Sequence, residues 1–281
     1  ETPVLTDEGC VPISEIYELA KIGKRFKVAA FDSQNWRIEW KPIIDVMRRE
    51  ALTRKVCISQ TGRSKFGVLT CTPDHAFGTI QDDAFLFRPI RDIVDSQQAV
   101  CVIDHLPMDG QIYAPDLAYL AGAIMADGYA RIYEGGRHGS VSFFQKKTAE
   151  KLAFIQQVCE CFQAVFGTPL KEYPERRLGG VIRGKLMSGV SSEFVCCQKG
   201  PAQTLLAIQE RLESWVLSLD QESVWHFLAG IADGDGTWNP IHRVLTIFNI
   251  SPVVTKAVML ACLRVGILPY VSKQRGNCFI I

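Results

Sequence analysis

Residues 120–128 read LAGAIMADG, and residues 228–236 read LAGIADGDG. Each is a short apolar run studded with Ala and Gly that closes on Asp-Gly, and neither contains Pro. Run length and composition predict a helix in both places, with Gly128 and Gly236 as the left-handed residue that ends it. Small residues recur four apart on one face, Gly122 with Ala126 and Gly230 with Gly234, a spacing that lets two helix backbones approach closely. Asp127 and its counterpart Asp235 need a reason of their own. A carboxylate in the last helical turn sits at the negative end of the macrodipole, at a cost of roughly 0.3–1 kcal/mol. Packing two such helices through their small faces brings both carboxylates together, and like charges that close are tolerated when a cation sits between them. The pair reads as a metal site.

Both stretches resemble the signature of the LAGLIDADG homing endonucleases. That resemblance implies two signature helices packed together, each supplying one metal-binding Asp. In the first copy Met125 replaces the earlier acid of the motif, whereas Asp233 keeps it in the second. The catalytic position of the family is the later one, Asp127 and Asp235. A single run of this kind would read as an ordinary Ala/Gly-rich packing helix; the in-register second copy decides against that.

At 281 residues and 47% hydrophobic, the chain is long enough for two or three compact domains. No apolar run reaches transmembrane length, and no basic-then-apolar leader opens the sequence as given, so a soluble, unexported chain is expected. Ten cysteines include neighbours that do not suit a disulfide framework, Cys159 with Cys161 and Cys196 with Cys197, and no Cys-x-x-Cys pair. Free thiols in a reducing, intracellular setting are expected, whether cytoplasm, nucleoid or nucleus. The net charge of +1 does not mark a nucleic-acid binder. Its distribution is uneven: residues 131–199 carry eleven Lys and Arg against six Asp and Glu, and residues 1–114 carry fourteen against sixteen. A solvated surface explains that excess as well as DNA does.

The first hundred residues read as all-β. Strand-like runs at 26–31, 36–44, 54–60 and 66–70 are separated by turns at 32–35 and 61–63, with one helix at 13–22 that Ser14 is expected to cap. Residues 2–16, TPVLTDEGCVPISEI, resemble the opening of an intein splicing (Hint) domain. Residues 70–77, TCTPDHAF, resemble that family's Thr-x-x-His block through Thr72 and His75. Splicing needs a nucleophile at the upstream junction and an Asn at the downstream one. Cys10 lies inside the matching block, and the sequence ends Cys278-Phe279-Ile280-Ile281, so the chain as given is not expected to splice. Thr72 and His75 are then a residual splicing block or plain turn residues, with Pro73 fixing φ and Asp74 capping.

A Pro- and Gly-bearing stretch at 104–115 marks a boundary, and Asp116 is expected to cap the helix that follows. Strand pairs are expected at 129–133 with 140–145 and at 170–174 with 193–198, and helices at 148–166 and 201–212. The second copy repeats the order with strands near 237–238 and 243–250, a helix at 252–265, and strands at 268–273 and 277–281, where the expected unit ends early. With these elements the two resemblances imply an α+β architecture: an N-terminal all-β Hint-like domain (residues 1–112) followed by two pseudo-symmetric αββαββα half-domains (113–212 and 213–281).

The family resemblance implies the chemistry. Two carboxylates holding hard divalent cations activate water and neutralise the charge that builds on phosphorus and the leaving oxygen, with no protein nucleophile. Two or three Mg²⁺ ions would be shared between Asp127 and Asp235, faced also by the carbonyls of Ala126 and Gly234. Gln145–Lys146 and Asn249 stand where the family places a polar or basic residue near the reacting water, and Lys199 where it places a peripheral lysine. Lys146 reads equally as a solvated residue before a helix, and Asn249 as a turn residue. Double-stranded DNA would lie across the sheets, whose alternate residues face base edges. The candidates are Arg131, Arg137, His138, Ser142, Gln145, Lys171, Tyr173, Arg177, Arg183, Lys185 and Gln198 in the first half. Those in the second are Trp238, Asn239, His242, Arg243, Thr246, Lys273, Gln274 and Arg275. The resemblance implies a monomeric, intein-type, site-specific double-strand endonuclease with no membrane partner. A maturase or regulator that binds without cutting, and an inactive splicing remnant, are the alternatives.

Overall fold

The computed structural model describes residues 2–60, 63–182, 185–273 and 279–280. The chain divides into two compact units, Glu1–Pro107 with Gly266–Tyr270, and Met108–Val265 with Val271–Ile281.

The first unit is built mainly of strands. β1 (Pro3–Thr6), β2 (Gly9–Pro12), β3 (Lys27–Asp32) and β4 (Arg37–Pro42) form one sheet in the order β2-β1-β3-β4. β5 (Arg54–Gln60) pairs with β6 (Arg63–Cys71), and β7 (Ala76–Gln81) with β8 (Ala84–Pro89). The turn between β3 and β4 closes as its sequence requires: Gln34 N–H donates to Asp32 Oδ1 at 3.0 Å and Asn35 Nδ2 to Asp32 Oδ2 at 2.8 Å. Two short helices interrupt the strands, α1 (Ile13–Lys21) and the unforeseen α2 (Ile90–Asp95). Ser14 does not cap α1; the helix starts one residue earlier, behind Pro12. Cys71, Ile90 and Ile93 are buried together, with Val56, Leu69, Phe77 and Val100 packed on them. Thr72 and His75 occupy the turn after β6, where His75 N–H donates to Thr72 O at 3.0 Å. Hydrogen bonds from the Thr72 side chain and Arg49 hold the Asp74 carboxyl below its usual range, which is turn chemistry. Part of the expected turn at 61–63 lies outside the described residues.

The second unit opens with α3 (Pro115–Asp127), β9 (Gly128–Ile132) and β10 (Gly139–Gln145). A 3-10 turn (Ala149–Lys151) leads into α4 (Leu152–Phe166), which is followed by β11 (Lys171–Ile182), β12 (Lys185–Cys196) and α5 (Lys199–Glu210). The sheet order is β11-β12-β10-β9, all antiparallel. This is the expected αββαββα unit with two differences. β11 and β12 are twelve residues each, longer than foreseen, and the helix expected at 201–212 gives way to a separate α6 (Leu212–Ser218). The second half then runs α7 (Gln221–Asp235), β13 (Gly236–Asn239), β14 (Val244–Asn249), α8 (Pro252–Arg264), β15 (Ser272–Lys273) and β16 (Phe279–Ile280), with sheet order β13-β14-β16-β15. The last expected strand lies largely outside the described residues.

The helix ends depart from expectation. Asp116 is not the cap of α3; Pro115 holds the first position and Ala114 precedes it. Asp220 does cap α7, accepting from Ser223 N–H at 2.9 Å. Gly128 and Gly236 are extended rather than left-handed, with φ of −145° and −87°. Glycine is needed there for space: a β-carbon at Gly128 would lie 2.6 Å from Ser142 O, and one at Gly236 would overlap Ala232 O. Among the described residues no helix is long and apolar enough to cross a membrane, and Cys159, Cys161, Cys196 and Cys197 carry free thiols.

Candidate active site

The site begins with the seam between α3 and α7. A β-carbon at Gly122 would overlap the Phe227 carbonyl oxygen, and one at Gly230 the Tyr119 carbonyl oxygen. One at Gly234 would overlap Ala126 Cβ and lie 3.2 Å from Asp127 Oδ2. Backbones this close leave no room for larger residues, which is why the small face recurs in both copies. The far ends of the helices are also tied: Ala114 N–H donates to Ser223 Oγ at 2.8 Å, and Tyr113 Oη to Glu222 Oε1 at 3.2 Å.

Asp127 and Asp235 end their helices beside each other at this seam, half-buried. Each accepts one hydrogen bond from the last residue of the second strand of its own half. Gln145 Nε2 donates to Asp127 Oδ2 at 2.9 Å, and Asn249 Nδ2 to Asp235 Oδ2 at 2.6 Å. Burial pushes the Asp127 carboxyl up, against the Lys151 charge and the Gln145 bond. Burial chiefly, helped by the Asp127 charge, pushes Asp235 up to about 6. Two carboxylates thus repel at a partly dehydrated seam, the condition a cation relieves.

The oxygen donors here fit a hard divalent ion. Among the described residues no cluster of three or more His, Cys, Asp and Glu could hold a metal. The protein therefore offers two carboxylates and helix-end carbonyls, leaving most of a coordination shell to water and a phosphate substrate, as Mg²⁺ favours. Asn249 also accepts from Ser251 N–H at 2.8 Å through Oδ1, so its amide is oriented by the turn that starts α8. The same side chain thus closes that turn and reaches Asp235.

Sequence reasoning missed two residues at this place, Lys151 and Tyr119. Lys151 Nζ donates to the Asp233 carbonyl oxygen, and its charge favours the ionised form of both Asp127 and Asp235. Tyr119 Oη donates to Asp233 Oδ2 at 2.6 Å. Gln145, not Lys146, is the residue that reaches Asp127; Lys146 is exposed, its N–H bonded to Gln145 Oε1 at 3.0 Å.

Antiparallel partners share a sheet face. Register therefore places Tyr129, Arg131, Ser140, Ser142, Phe144, Lys171, Tyr173 and Glu193 on one face of the first sheet. Arg131 lies over the rings of Tyr133 and Tyr129, with centroids 4.4 and 5.4 Å away, and its Nε donates to Ser140 Oγ at 3.2 Å. Gln145 belongs to the opposite face, with Asp127. Arg137 and His138 are exposed beyond the end of β9, in its turn to β10. Gln198 precedes α5 and donates to Thr168, and Lys199 is the first residue of that helix, shortly after the end of β12. In the second sheet, Asn239 shares the face of Thr246's partner Thr237, yet its Oδ1 closes a turn by accepting from Ile241 and His242 N–H. Trp238 is on the opposite face, beside Leu245, and Arg243 is left-handed at φ 52°. Arg177, Lys185 and Lys273 stand on β11, β12 and β15; Arg183, Gln274 and Arg275 lie outside the described residues.

No family model matches the chain. It is 28% identical over 280 residues, 99% of its length, to the probable phosphoenolpyruvate synthase of Methanocaldococcus jannaschii. The chain spans 22% of the length of that relative. Among solved structures, I-DmoI in complex with DNA and Mn is similar over 59% of this chain and 88% of its own, with TM-score 0.42 and 16% identity. The homing endonuclease I-WcaI bound to its DNA recognition sequence is similar over 60% of this chain and 76% of its own, with TM-score 0.39 and 14% identity.

Proposed function

We propose that the second unit is a site-specific, divalent-cation-dependent DNA endonuclease of the LAGLIDADG homing type, acting as a monomer. The observation that carries this reading is the pair Asp127 and Asp235, opposed across a glycine seam and each oriented by an amide from its own half. One acid per half gives one cleavage centre per DNA strand. Bound divalent ions would supply Lewis-acid charge and an activated water. Asp127, Asp235 and the Ala126 and Gly234 carbonyls would hold them, with Mg²⁺ the expected ion. Gln145 and Asn249 orient the carboxylates, and Lys151 adds positive charge where the phosphate would sit. The sheet face bearing Arg131, Lys171 and Tyr173 would lie against the groove.

The first unit is assigned as a Hint-like splicing domain on the Thr72–His75 block, which makes the whole an intein-type element. Similarity to about a fifth of a protein with another stated activity supports that, and it names a target to try. The test is a supercoiled plasmid carrying an uninterrupted phosphoenolpyruvate synthase gene, incubated with the protein and Mg²⁺, then with EDTA. Linearisation that EDTA stops, and that falls by about a thousandfold or more in Asp127→Asn or Asp235→Asn, is expected. Tight binding without cutting under every ion tried would sink the nuclease and favour the regulator.

A further inference from the structure

The two seam helices are related by an offset of 108 residues, the separation of Asp127 and Asp235 in the sequence. Under that offset Gly122 matches Gly230, and the glycine contacts obey it: Gly122 faces the Phe227 backbone as Gly230 faces that of Tyr119. The seam is a near-twofold, but two matched positions break the symmetry, and they break it together. Tyr119 corresponds to Phe227, and Asp233 to Met125. On one side a phenol donates to a carboxylate at 2.6 Å. On the other, the equivalent side chains have neither donor nor acceptor. A half-exchange would leave Tyr119 facing Met, or an acid facing the fully buried Phe227.

The geometry points to Tyr119 and Asp233 as a positioning pair, matched against Phe227 and Met125, that fixes the register of the motif helices and keys the seam to unlike halves. Asp233 lies in the same last turn as Asp235, so the clamp from α3 holds the turn that carries that carboxylate. The Asp233 carbonyl is bound at the same time by Lys151, from the first half. The residue that departs from the motif, Met125, is therefore half of a compensated exchange rather than decay. The metal consequence of the clamp rests on the proposed cation site; the key itself does not.

The test uses the full chain, with urea unfolding and Mn²⁺ binding measured without DNA. Phe227→Tyr should lower the folded-to-unfolded ratio by about tenfold, because it strands a phenol in a fully buried site, and Met125→Asp, at a half-buried position, by about threefold. The double substitution should restore most of that loss by creating a second phenol–carboxylate bond. Tyr119→Phe and Asp233→Asn, milder changes, should each weaken Mn²⁺ binding severalfold, with the double variant no worse than the weaker single. Additive unfolding effects would overturn the key. Unchanged Mn²⁺ affinity in Tyr119→Phe and Asp233→Asn would overturn the positioning role. No Mn²⁺ binding by the unaltered chain would overturn the cation site and that role with it, while the unfolding cycle would still decide the key.

Discussion

Asp235 holds its proton to about pH 6 because burial and the charge of Asp127 both oppose ionisation. The folded chain therefore binds a proton that the unfolded chain has released above its ordinary value of 3.8. This contribution to stability is complete below about pH 4 and is lost as pH rises through about 6. Urea midpoints measured in EDTA should fall across that window, the fall should be smaller in Asp235→Asn, and saturating Mg²⁺ should oppose it by favouring the carboxylate. Lys151→Met should move the fall to higher pH, since the Lys151 charge favours the ionised form of both acids. At this scale the two aspartates were legible from their misplacement at helix C-termini. Lys151 was not, because a lysine in a turn has no pattern that says which helix end it will reach.

The motif helices are defined by what they exclude. At Gly230 the open space of a helix surface is replaced by the Tyr119 carbonyl, so Gly230→Ala forces two backbones apart. A loss of about 1–3 kcal/mol is expected despite the better helix propensity of Ala, read as a lower urea midpoint. Gly200→Ala is the control, since nothing lies within 4 Å of a β-carbon there in α5, and it should be neutral or stabilising by up to about 1 kcal/mol. The helices and strands were readable from apolar periodicity, and their order from the repeat. Their ends were not: Gly128 and Gly236 carry the residue expected of a left-handed stop, but the following strand starts at once, so the constraint is steric contact instead.

For the whole molecule, a net charge of +1 gives little general attraction to a polyanion, so the proposed DNA binding would be concentrated on particular faces. Arg131 is held over two tyrosine rings and bonded to a serine on the first sheet face. Arg131→Ala should weaken DNA binding and lower the slope of log affinity against log salt by about one if it meets a phosphate. Salt-titrated fluorescence anisotropy checks this, and an unchanged slope with altered base preference would assign it to a base edge. The uneven charge between the two units was visible in the sequence; which basic residues share a face was not, because that depends on strand register.

The sequence by itself determined the repeat, the β-rich first unit, the single helices and strands and the two acids, since each follows from local periodicity or from a residue in a place it would otherwise avoid; the αββαββα order was what the repeat's family resemblance implied. Tertiary structure alone decided that of Gln145 and Lys146 it is Gln145 that meets Asp127, that Trp238 stands beside Leu245, and that Asp233 has Tyr119 as its partner. These are contacts between residues up to 114 positions apart. They exist only once close backbone packing has fixed the rotation of one helix against the other.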